Sequence, residues 1–72
     1  MTNKTEFKVA LIRANLTMDE LAEAVGMSSA SLSYKVNNKR EFTSTEIKSI
    51  SERLDLSIED RELIFFAETV DC

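Results

Sequence analysis

The stretch Leu16–Arg40, LTMDELAEAVGMSSASLSYKVNNKR, decides the fold of this 72-residue chain. Gly26, the only glycine, stands between two segments that each begin like a helix. Thr17 followed by Glu20 is a capping box, in which each side chain satisfies the other's backbone N–H. Leu16 before the cap and Leu21 within the helix form a hydrophobic staple. Leu21, Ala22 and Val25 then face inward, and Ala22 is small where a following helix must cross closely. Gly26 comes where a helix end needs a positive φ, which glycine adopts without steric cost. Met27 is apolar, as a residue folding back onto that helix end should be. Ser28 caps the next helix at once, and Met27 with Leu32 repeats the staple. Only a tight turn fits between them, so the two helices must meet at a steep angle. Leu32 and Val36, four residues apart, are the buried stripe of the second helix. Ser29, Ala30, Ser33 and Tyr34 are left facing out. The helix ends near Asn37 and Asn38, and Lys39 and Arg40 follow in a loop.

The flanks repeat the same grammar. A first helix runs from about Lys4 to Ala14, with Asn3 as cap and Glu6 three residues on. Its inward face is Phe7, Ala10, Leu11 and Ala14, widened by Val9 and Ile12, and Asn15 ends it in a left-handed conformation. A fourth helix starts at the cap Thr43, with Glu46 completing the box and Phe42 and Ile47 the staple. Ile47, Ile50 and Leu54 face inward. A fifth helix follows Ser57 over about 58–68, with Asp60 favourable to its N-terminus. Adjacent Phe65 and Phe66 cannot both point the same way on a helix, so one belongs to the core and the other is available. Ile64, Phe65, Phe66 and Val70 are the expected dimer contact. Residues 1–72 thus read as one all-α domain of five helices, the helix-turn-helix spanning about 17–37.

Composition agrees with a small folded domain. Apolar residues make up 43% and charged residues 31%, ordinary for a globular chain and unlike a disordered one. Proline is absent, which with one glycine favours helices over hairpins. A chain this short buries a modest core. There is no histidine, and Cys72 is the only cysteine, so neither a zinc site nor an internal disulfide is expected. No metal, cofactor or small-molecule ligand is expected. The N-terminus lacks a signal-peptide pattern, and no apolar run approaches the roughly 20 residues that span a bilayer. A cytoplasmic location with no membrane contact is the expectation.

Charge is divided along the chain. Residues 1–40 carry a net +2 and residues 41–72 a net −6, so the whole is −4. Phosphates respond to the local field, so one face can attract DNA while the other repels it.

The pattern L-T-x-x-E-L-A-x-x-V-G-M-S-x-x-x-L-S-x-x-V-N-x-K over Leu16–Lys39 resembles the helix-turn-helix of the phage Cro/repressor family. The resemblance covers roughly residues 5 to 67, and the run NNKREFTSTEIKSI is similar to small prophage regulators of Gram-positive bacteria. It implies a lambda-repressor-like bundle acting as a transcriptional regulator in a bacterial host cell, at the nucleoid. Its partner would be an operator in double-stranded DNA, bound as a homodimer on a near-palindromic site. The second helix of the pair would enter the major groove. By matched position, Ser28, Ser29, Ala30, Ser33 and Tyr34 would contact bases. Thr17, Asn37, Asn38, Lys39 and Arg40 would contact phosphates. Two departures stand out. Met18 and Ser29/Ala30 replace the glutamines often found at those places, which removes bidentate adenine readout. Lys35 stands where the family often has an apolar residue, and Val36 can take over the buried role.

Two other functions compete. A helix-turn-helix fold that binds another regulator or a polymerase subunit would suit the −6 half and the missing glutamines. An enzyme has little to work with: no histidine, no glycine-rich phosphate loop, and a carboxylate pair, Glu59–Asp60, already explained by capping.

Overall fold

The computed structural model describes residues 1–66. They form five helices: α1 (Lys4–Ala14), α2 (Met18–Ala24), α3 (Ser29–Val36), α4 (Ser44–Leu54) and α5 (Ile58–Phe65). No strand occurs among the described residues.

Every helix opens on a side chain that caps it. Asn3, Thr17, Ser28, Thr43 and Ser57 each accept a hydrogen bond from the backbone N–H three residues on. The reciprocal half of the capping box is made by Glu20, Glu46 and Asp60. These bonds satisfy donors that a helix start otherwise leaves orphaned.

The exits are as uniform as the entries. Asn15, Gly26, Asn38 and Asp55 have φ of 57°, 75°, 62° and 53°. After each, the next N–H reaches back five residues to close the helix end: Leu16 to Leu11 (3.0 Å), Met27 to Ala22 (2.8 Å), Lys39 to Tyr34 (2.9 Å) and Leu56 to Ser51 (2.9 Å). Three links therefore read as a left-handed residue, an apolar residue and a cap: Asn15-Leu16-Thr17, Gly26-Met27-Ser28 and Asp55-Leu56-Ser57. The apolar residue in each, Leu16, Met27 or Leu56, is half-buried against the core. A link of this kind reverses the chain within three residues and leaves few backbone groups unpaired.

The core is Phe7, Ala10 and Leu11 of α1, Leu21 and Ala22 of α2, Leu32 and Val36 of α3, Ile50 and Leu54 of α4, and Ile64 and Phe65 of α5. Phe7, Phe42 and Phe65 meet in an aromatic cluster. Phe42 and Phe65 are edge-to-face at 5.2 Å between centroids, and Phe7 lies 6.1 and 6.2 Å from the two. The cluster joins α1, the α3–α4 loop and α5, with favourable edge geometry beyond area burial.

The N-terminal residues complete the join. Thr2 is buried, and its N–H and C=O pair with the side-chain amide of Asn38 at 2.8 and 3.0 Å. Asn3 donates its N–H to the Ile64 carbonyl at 2.6 Å. One short arm therefore ties the end of α3 to α5.

Two expectations are corrected here. Ile12 does not widen the inward face of α1; it is 77% exposed. Its position lies far around the helix from Phe7 and Leu11, at 100° per residue. Ile64 and Phe65 are buried, so their side chains are not a surface for a second copy. Of that group Phe66 is exposed and caps the end of α5, which stops at Phe65, short of the expected 68; Val70, like Cys72, lies outside the described residues.

A Cβ built on Gly26 meets nothing within 4 Å, so the residue is required by its φ and not by space. Gly26→Ala should lower stability by about 1–2 kcal/mol in urea unfolding, and Gly26→Asn by less, because asparagine tolerates the left-handed region. Phe65→Ala should destabilise by about 3–5 kcal/mol, while Phe66→Ala changes stability by no more than about 0.5 kcal/mol.

Candidate nucleic-acid interface

The outward side of α3 is set by what its inward side buries. Leu32 and Val36 are fully buried, and Lys35 is drawn to α4, where it forms an ion pair with Glu46. Positions 29, 30, 33, 34 and 37 are left on the far side, within about 140° of arc. Ser29, Ala30, Tyr34 and Asn37 are exposed and Ser33 is half-buried. Four of the five side chains are short, so this face can approach another surface closely, and α3 has no acidic residue in its first turn.

The hydroxyls are not equally free. Ser28 accepts from the Ser31 N–H at 3.1 Å and donates to the Ser31 hydroxyl at 3.0 Å. It caps α3, as the sequence implies, and its hydroxyl hydrogen is turned to Ser31. Ser29 donates to Asp19 Oδ1 across the turn at 2.6 Å. Asn37 bends back to Ser33, donating from Nδ2 to its carbonyl at 2.8 Å and its hydroxyl at 3.3 Å. Tyr34 is 51% exposed, with Lys39 Nζ lying 5.8 Å from its ring centroid. The ring thus carries a cation beside it.

The expected phosphate contacts divide likewise. Lys39 and Arg40 are exposed at the end of α3. Thr17 is exposed too, but its oxygen caps α2. Asn38 has a structural task as well: its amide oxygen and nitrogen are engaged by Thr2, and its backbone takes the left-handed turn that ends α3. Sequence reasoning missed this clamp because Thr2 and Asn38 are 36 residues apart. The Asn37-Asn38 doublet did mark the helix end, since asparagine tolerates positive φ.

Electrostatics around this face are mixed. Asp19, Glu20 and Glu23 are all exposed on α2. Burial pushes the Glu46 carboxyl up, but hydrogen bonds from Lys35 and from Thr43, with the charge of Lys35, outweigh it and hold it below its ordinary value. Lys35 and Glu46 side chains are only 14% and 22% exposed, so this pair fixes the back of α3 against α4. A groove of about 640 Å³ runs past Phe42, Ile47, Leu56, Arg61 and Phe66, and no α3 residue lines it. No group of three His, Cys, Asp or Glu side chains among the described residues could hold a metal ion. No helix among them is long and apolar enough to cross a membrane.

A family model described as helix-turn-helix matches residues 8–61, from α1 into α5. No curated protein matches the chain, and no solved structure does.

Because the Glu46 carboxyl is held down in the folded state, its contribution is complete above the unfolded carboxylate value of about 4.3. It is lost as pH falls through the lower folded value. Glu46→Gln should therefore cost about 0.5–1 kcal/mol near neutral pH. The gap from the unsubstituted protein should close on acidification to about pH 3, read by urea unfolding across pH.

Proposed function

The chain belongs to the helix-turn-helix family, a family of DNA-binding regulators and not of enzymes, and on that footing we propose that it is a sequence-specific transcriptional regulator of the Cro/repressor kind. The α3 helix enters the major groove and α2 lies across the backbone. The observation that carries this is the α3 face itself: short side chains outward, no acid in its first turn, and two exposed cations at its end. Ala30 meets a thymine methyl, Ser29 and Ser33 meet base edges, and Tyr34 meets a base or a phosphate. Lys39 and Arg40 hold phosphates and set register, with Thr17 and Asn37 as lesser contacts.

The active form is a homodimer on a near-palindromic operator, with α3 helices one DNA turn, about 34 Å, apart. Three large apolar side chains on the outward side of α5, Ile58, Leu63 and Phe66, are 50–70% exposed and support a second copy there. The principal extents, 28 × 24 × 21 Å, suit two copies side by side across one turn. The likeness of the sequence to small prophage regulators supports a repressor working in a bacterial cytoplasm.

A second function has its own support. Asp19, Glu20 and Glu23 are exposed on the helix that would cross the phosphates, which suits a module that binds another regulator or a polymerase subunit.

Selection of duplexes from a random pool, followed by fluorescence anisotropy, separates the two. A recurring near-palindrome should emerge, and Ala30→Glu should abolish its binding without loss of helical signal. If the dimer neutralises about four phosphates, affinity should fall roughly 10²-fold between about 50 and 200 mM salt. Arg40→Gln should make the salt dependence shallower. Absence of any retained duplex at low salt would contradict DNA binding and leave the protein-docking module.

A further inference from the structure

We infer that Asp19 is a specificity-determining residue: through Ser29 it makes the leading corner of α3 an acceptor-only reader that selects cytosine, with adenine second, at one base pair of each half-site. The inference rests on α3 lying in the major groove.

A serine hydroxyl alone is a poor discriminator, because it holds one hydrogen to give and two lone pairs to receive. It can rotate to suit almost any base edge. Ser29 is not alone. Its Oγ lies 2.6 Å from Asp19 Oδ1, on the first turn of the preceding helix. An ionised carboxylate only accepts, so the shared hydrogen must come from Ser29. With that hydrogen engaged, the hydroxyl can only accept, and the second Asp19 oxygen can only accept as well. Both residues are exposed, and neither Asp19 nor any other acid on α2 forms an ion pair with a described residue. No ion pair therefore occupies the second carboxylate oxygen.

The major-groove edges of the bases sort against such a corner. Cytosine offers the N4 amino group and adenine the N6 amino group. Guanine shows O6 and N7, and thymine shows O4, all acceptors that would face the corner's own lone pairs. Adenine also brings its N7 acceptor close to the carboxylate, whereas cytosine brings none, which places cytosine first. Ala30, the adjacent residue on the helix, carries a methyl group and adds no donor. The carboxylate also repels phosphates, so the pair selects among bases while weakening binding to all of them.

A mere staple between α2 and α3 would behave differently. Loss of a staple weakens binding to every sequence alike, whereas loss of an acceptor corner alters preference at one position.

The test uses the full chain and the selected duplex, replaced base pair by base pair, with anisotropy as the readout. The unsubstituted protein should prefer cytosine over guanine and thymine roughly tenfold at one position per half-site. Asp19→Asn, whose amide can donate, should level that preference or turn it toward guanine or thymine, with other positions unchanged. Ser29→Ala should keep part of the preference through Asp19. Thermal melts of each variant establish that it is folded. An equal loss over all four bases with Asp19→Asn would show a staple only and overturn the inference, as would a preference for guanine or thymine in the unsubstituted protein. If no duplex is bound by any form, the regulator function falls and the inference with it. A bound duplex indifferent to Asp19→Asn overturns the inference alone.

Discussion

The fold turns on a backbone constraint at Gly26. The chain must leave α2, reverse and enter α3 with one residue, Met27, between the left-handed position and the cap. A φ of 75° achieves the reversal, and the Met27 N–H closes the old helix on Ala22 while Ser28 opens the new one. The register of α3 follows. Once Ser28 is the cap, Leu32 and Val36 face α2 and the core, and Ser29, Ala30, Ser33, Tyr34 and Asn37 face away. A one-residue change in the link would rotate α3 by about 100° and put a different set of side chains outward.

A presented helix needs a firm back. Three features supply it. Lys35 pairs with Glu46 of α4, Asn38 is clamped by the backbone of Thr2, and the Phe7–Phe42–Phe65 cluster anchors the loop that follows. The ion pair joins consecutive helices, and the other two join segments far apart in sequence, so together they turn a local supersecondary unit into a domain. A chain of this size has little apolar area to bury, and well-satisfied helix ends compensate for part of that.

Helix starts, the Gly26 turn and most of the core were legible in the sequence because they depend on residues three or four apart. Thr17 with Glu20 and Thr43 with Glu46 are complete signals in themselves. What was not legible is long-range. Nothing near Asn38 announces Thr2, and nothing near Ser29 announces Asp19, so the sequence alone shows neither the clamp nor the fixed hydroxyl. Ile12 is apolar and close in sequence to the inward residues, but the core admits a narrower face of α1 than composition suggests. The Phe65-Phe66 doublet shows that one ring belongs to the core, but only the packing with Phe7 and Phe42 shows that it is Phe65. Lys35 shows the opposite case: a charge at an apolar position is accommodated by a carboxylate from the next helix.

Charge makes this an unusual partner for DNA. The acids on α2 stand beside the presented face, and the cations that oppose them are few, chiefly Lys39 and Arg40. On the proposed regulator function, so few cations leave much of the discrimination to close contact between the short α3 side chains and the bases. The most direct measurement is residue-by-residue amide NMR of the labelled protein titrated with its selected duplex. Shift changes should concentrate on Ser29, Ala30, Ser33, Tyr34, Asn37, Lys39 and Arg40. Changes confined to the outward side of α5, or none on α3, would contradict the account.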